Sequence, residues 1–119
     1  MEVRLDYGRT GLLVRVPDTL TVSLLEPHKG TPLSDPVAAI DHALAEPVGA
    51  APLAALARGR RDAAVVISDK TRPVPYGLVL PPILRTLEAA GIGKDDIEIL
   101  VATGLHRANT RDELAEMTR

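Results

Sequence analysis

The sequence predicts an α/β fold: an N-terminal β-hairpin and a further extended strand, then a βαβ unit with parallel strands and helices packed on the sheet. Three observations carry this. Charged and apolar residues alternate at the start of the chain, the second half holds two short apolar runs rich in β-branched residues, and a helix-period stripe of leucines lies between those runs.

Val3, Leu5 and Tyr7 alternate with Glu2, Arg4 and Asp6. A turn follows between Gly8 and Gly11, and residues 12–16 are apolar again, so the opening is a hairpin. A third extended run covers 20–25 after Pro17 and Asp18, and residues 27–32 form a proline-bounded loop. Asp35 caps a helix that begins at Pro36 and places Val37, Ile40 and Leu44 on one face. Pro47 ends it. Residues 52–57 add one helical turn, and 59–62 form a charged connector. The run 63–67 is a strand expected to be buried on both faces, and 68–75 is a polar, proline-bearing loop. Leu80, Ile83, Leu84 and Leu87 mark a helix ending near Gly91, with Pro81 and Pro82 expected near its first turn. Residues 97–101 repeat the buried-strand pattern and 102–109 form a second loop. Thr110 with Glu113 three residues on has the form of a capping box.

Composition sets the bounds. A chain of 119 residues suits one compact unit spanning 1–119. With 45% apolar and 25% charged residues it has the proportions of a soluble globular domain. It carries 14 basic and 16 acidic residues, a net charge of −2, and no basic stripe, which argues against a nucleic-acid partner. Two tyrosines with no Phe or Trp leave few rings on which bases stack. Having no Cys, the chain builds neither disulfides nor thiolate metal sites, and a cytoplasmic setting fits. No apolar stretch reaches the roughly 18 residues of a membrane span, so no membrane role is expected.

Because the two strands of the βαβ unit run parallel, the loops that follow them leave the same carboxyl edge of the sheet, where open α/β folds bind ligands. One loop brings Ser68, Asp69, Lys70, Thr71 and Arg72. The other brings Thr103, Gly104, His106 and Arg107. An arginine fork matches a carboxylate or phosphate, a histidine exchanges a proton near neutral pH, and an aspartate orients the imidazole. Together they suit a small anion that loses or gains a proton, and Gly104 brings backbone N–H groups toward it. Plainer roles stand beside these. Asp69 serves equally as a turn residue and Thr110 as a cap, Arg72 and Arg107 as surface charges, and Lys70 faces either solvent or ligand. His28 and His42 are read as solvated.

Residues 68–75 (Ser-Asp-Lys-Thr-Arg-Pro-Val-Pro) and 102–107 (Ala-Thr-Gly-Leu-His-Arg) resemble the paired signature segments of the nickel-dependent lactate racemase family. Tyr7-Gly8, Glu46-Pro47-Val48-Gly49 before Leu53, and the stretch 87–92 agree with it, while Ala108 stands where proline is common. The resemblance runs over nearly the whole chain and matches the N-terminal part of a typical member, so an incomplete domain is expected. It implies a racemase or epimerase of 2-hydroxy acids working by hydride transfer, with a pyridinium-derived mononucleotide cofactor that holds nickel in a sulfur-carbon-sulfur pincer. It implies that His106 is the acid/base residue, that Arg72 holds the substrate carboxylate and that Asp69 orients the site. Thr71 and Arg107 would also contact substrate, and Thr103 and Gly104 the cofactor. A second catalytic histidine, the cofactor's lysine anchor and the nickel-binding histidine fall downstream in the family, so no metal ligand is expected here and the downstream remainder is the expected partner. By the same reading, the isolated chain is expected to be inactive. The alternatives are a non-catalytic α/β module binding a small anion or nucleotide, against which stands the lack of a Gly-rich phosphate loop, and a structural half-domain that pairs with another chain.

Overall fold

The computed structural model describes residues 1–28 and 30–119; the predicted loop over 27–32 includes Lys29, which lies outside the described residues. The chain divides into two compact units, Met1–Thr31 and Pro32–Arg119.

In the first unit β1 (Glu2–Leu5) and β2 (Leu12–Arg15) pair antiparallel, with Val3 opposite Val14. Gly8 (φ 56°) and Gly11 (φ 75°) take the left-handed conformation that the connecting turn requires. The Gly11 N–H closes the turn on the Tyr7 carbonyl at 2.9 Å. The extended run expected over 20–25 forms no strand. A strand is held by a ladder of hydrogen bonds to a neighbour, and this stretch has none among the described residues. Its apolar side chains find no face to cover, and Leu25 is 91% exposed.

The second unit contains α1 (Pro36–Ala45), α2 (Leu53–Ala57), β3 (Ala63–Ser68), α3 (Tyr76–Ala89), β4 (Ile97–Ala102) and α4 (Arg111–Met117). Asp35 caps α1 as its residue type predicts, its carboxylate accepting from the Ala38 N–H at 2.9 Å. Strands β3 and β4 are parallel and in register from Ala63 opposite Ile97 to Ser68 opposite Ala102, so both end at the same edge.

Helix α3 starts four residues before Leu80, at Tyr76, which puts Pro81 and Pro82 inside the helix and not in its first turn. Packing outweighs the two lost backbone hydrogen bonds. Tyr76, Leu80, Pro82 and Leu87 are all buried, and filling the core with such side chains contributes about 1.5–3 kcal/mol each. One cluster joins Ile67, Tyr76 and Leu80 with Val65, Leu84, Val101 and Met117. The other joins Ala57, Leu87 and Ile92 with Leu53, Ala63, Val65, Ile83 and Ile97.

Burial on both faces, expected for β3 and β4, is not observed. Ala63, Val65 and Ile67 turn toward these clusters, while on the opposite face Val66 is 64% and Leu100 42% exposed. Among the described residues the sheet has two strands, and helical cover on one side leaves the alternate side chains in solvent.

Candidate active site at the carboxyl edge

The loop after β3 is built by Asp69. Its carboxylate Oδ1 accepts from the Thr71 hydroxyl at 2.6 Å and the Thr71 N–H at 3.2 Å, while its carbonyl accepts from the Arg72 N–H at 3.1 Å. This is a turn in which an Asp side chain stands in for backbone. The far end of the loop is held by Tyr76. Its buried phenol oxygen accepts from the Ser68 N–H at 2.7 Å and shares a hydrogen bond with the Ser68 hydroxyl, which joins the first residue of α3 to the last residue of β3.

The loop after β4 turns at Gly104, whose φ of 57° suits glycine. The His106 N–H closes that turn on the Thr103 carbonyl at 2.9 Å. The turn delivers His106 to Asp69, with Nδ1 lying 2.6 Å from Oδ2. Asp69 thus fills both roles considered for it: one oxygen makes the turn and the other holds the imidazole.

Asp69 is buried, at 4% exposure, yet its hydrogen bonds from Thr71 and His106 hold its carboxyl below the ordinary carboxylate range. An ionised carboxylate only accepts. Nδ1 is therefore the donor of this contact, and whenever the ring carries a single proton Nε2 holds the lone pair. The His106 side chain is about half exposed.

A second carboxylate organises the rim. Glu113, on the first turn of α4, accepts from Lys70 Nζ at 2.7 Å, from Arg107 Nη2 at 2.7 Å and Nη1 at 2.9 Å, and from the Thr110 N–H at 2.8 Å. The Thr110 hydroxyl oxygen completes the capping box by accepting from the Glu113 N–H. Arg107 and Lys70 hold the Glu113 carboxyl far below its usual range, and Glu113 in turn raises Arg107.

Asp69, Lys70, Thr71, His106, Arg107 and Asn109 line a cleft of about 110 Å³. Arg72 lies outside that lining but follows Thr71 on the same loop. It is exposed, and among the described residues its guanidinium has no hydrogen-bond or ion-pair partner. Thr103 and Gly104 shape the turn and do not line the cleft. His42, expected to be solvated, is exposed on α1, with Nδ1 3.7 Å from Glu46; His28 is exposed too. Three contributors went unread in the sequence: Tyr76, Asn109 and the bridging role of Glu113. Glu113 carried only a capping signal, because its link to Lys70 spans 43 residues.

A carboxylate and an imidazole thus meet on two converging loops of a parallel α/β sheet, and the comparisons give the family of the chain. The family model for the lactate racemase N-terminal domain matches residues 7–119; the chain belongs to that family. It is similar to lactate racemase from Lactiplantibacillus plantarum, with 41% identity over 75 residues, 63% of this chain and 18% of that protein. It is also similar to lactate racemase from Thermoanaerobacterium thermosaccharolyticum, with 30% identity over 115 residues, 94% of this chain and 26% of that protein. The solved structure of the lactate racemase apoprotein from the same organism superposes with a TM-score of 0.74 at 29% identity, covering 100% of this chain and 27% of that one. The chain therefore spans about a quarter or less of the length of the relatives it matches.

Proposed function

We propose that this chain is the proton-transfer wall of a 2-hydroxy acid racemase or epimerase, an isomerase of the lactate racemase type. The 2.6 Å contact between His106 Nδ1 and Asp69 carries the proposal. It gives Nε2 of His106 the lone pair that takes the substrate's hydroxyl proton. Loss of hydride from the carbinol carbon builds positive charge there, and removal of the hydroxyl proton relieves it by forming the keto group. The imidazolium so formed is stabilised by Asp69, and on return it hands the proton back to the same oxygen. Arg72 is assigned the substrate carboxylate, since its fork is free while that of Arg107 is committed to Glu113. Thr71 and Arg107 border the substrate on the cleft wall.

A nickel-pincer mononucleotide, the hydride acceptor that the resemblance implies, does not fit the described residues alone. The cleft is about 110 Å³, well under the several hundred Å³ typical of cofactor sites, and no group of three or more His, Cys, Asp or Glu is placed to hold a metal among the described residues. Thr103 and Gly104 offer it no more than a backbone turn at the rim. The chain's own share of the chemistry is binding and proton transfer, and the remaining parts are assigned to the rest of a full-length racemase.

The test grafts residues 1–119 in place of the matching segment of the Thermoanaerobacterium thermosaccharolyticum enzyme and measures interconversion of the lactate enantiomers. The chimera should racemise lactate, and His106→Asn within it should lower turnover by about 10²–10⁴ with the fold intact by circular dichroism. Near-normal turnover in that variant would remove His106 from the mechanism.

A further inference from the structure

Beyond the acid/base assignment, we infer that Glu113 is a positioning residue: it holds the two site loops together by bridging Lys70 and Arg107, and so sets the Asp69–His106 pair. The inference rests on the reading of that pair as the proton-transfer group.

Lys70 directly follows Asp69 and Arg107 directly follows His106, so the two loops meet through two adjacent links. The first is the Asp69–His106 contact of 2.6 Å. At the second, two cations face each other. Both lie 2.7 Å from the same oxygen, Oε1 of Glu113. Without the carboxylate, Lys70 and Arg107 would repel across the rim, and the loops carrying Asp69 and His106 would be driven apart.

Glu113 is placed for this before any ligand arrives. Its side chain is 13% exposed, and its other oxygen, Oε2, is fixed by the Thr110 N–H and Arg107 Nη1. A carboxylate whose rotamer is fixed this way holds its partners more firmly than a mobile surface pair does. The helix cap alone needs neither Lys70 nor Arg107, and a glutamine serves a capping box as well as a glutamate. The charge at position 113 is therefore separable from the cap.

The experiment reads the His106 ring by long-range proton–nitrogen NMR in the purified 119-residue chain, with the signal identified by its loss in His106→Asn. In the unsubstituted chain at a pH where the ring is neutral, the Nδ1–H tautomer should dominate. Glu113→Gln keeps the cap and removes the charge. It should lower the ratio of Nδ1–H to Nε2–H tautomer by about threefold or more, the size expected from losing ion pairs of this kind.

Lys70→Met breaks the inter-loop link alone and leaves the cap and the Arg107 pair in place, so it should shift the ratio in the same direction. It also decides the matter if Glu113→Gln fails to fold by circular dichroism. An unchanged ratio in the folded variants would overturn the inference. Because no substrate or hydride acceptor takes part, a chimera that fails to racemise would count against the proposed function and leave this result standing.

Discussion

At the scale of single residues, the two loop arginines differ in their partners. Both stand in the signature segments, and spacing alone treats them alike. Arg107 is bidentate on Glu113, whereas Arg72 is exposed with no partner among the described residues. Arg72 is thus the guanidinium able to take a planar carboxylate without first breaking an internal pair. Lysine at this position keeps the charge and loses the two-point fork. In the chimera, Arg72→Lys should raise KM for lactate about tenfold, the effect of losing one charge-assisted hydrogen bond of roughly 1.5 kcal/mol. Steady-state kinetics check it, and an unchanged KM and kcat would withdraw the carboxylate role. The placement of His106 in the loop after β4 was legible for another reason. A histidine just past an apolar strand has few structural duties, but only the folded chain shows which nitrogen meets Asp69.

At the scale of elements, capping and turn chemistry were the most legible features. Asp35 before Pro36 and Thr110 before Glu113 produce the caps their residue types predict, because a cap is satisfied within three residues and needs no distant partner. The start of α3 was less legible. Prolines at 81 and 82 suggest a first turn, but burial of Tyr76 and its hydrogen bonds to Ser68 extend the helix to its N-terminal side. Pro81 is exposed and gives the helix no N–H at that turn. Pro81→Ala should therefore restore a backbone hydrogen bond without emptying the core, and raise stability by about 1 kcal/mol despite the freer unfolded chain. Thermal unfolding followed by circular dichroism should show a higher midpoint. A lowered midpoint would mean that the proline ring is packed and not merely tolerated.

At the scale of the whole molecule, two depressed carboxyls make the protein sensitive to acid. Asp69 and Glu113 both lie below the ordinary carboxylate range when folded. In the acid range the unfolded chain therefore binds more protons, and stability rises with pH. The contribution is fully present above the unfolded carboxylate value of about 4 and is lost as pH falls through it toward the folded values. The unfolding midpoint should drop between about pH 5 and pH 2. The double variant Asp69→Asn, Glu113→Gln should show a shallower slope over that window in calorimetry, and an equal slope would mean that other carboxylates dominate. No helix among the described residues is long and apolar enough to cross a membrane.

The sequence by itself determined the hairpin, the order of helices and strands from α1 onward, the capping of α1 and α4, and the two loops that meet at the carboxyl edge. These depend on side-chain periodicity and on hydrogen bonds closed within a few residues. It also carried the family, because the signature segments are contiguous. Only the tertiary structure decided that one carboxylate, Asp69, serves both the turn and His106, that Glu113 gathers cations from two loops, and that the 20–25 run stays unpaired. Those outcomes turn on which groups meet across tens of residues of chain. Parallel pairing of β3 with β4 sets those meetings by bringing both loops to one edge, and no local pattern records the distances that result.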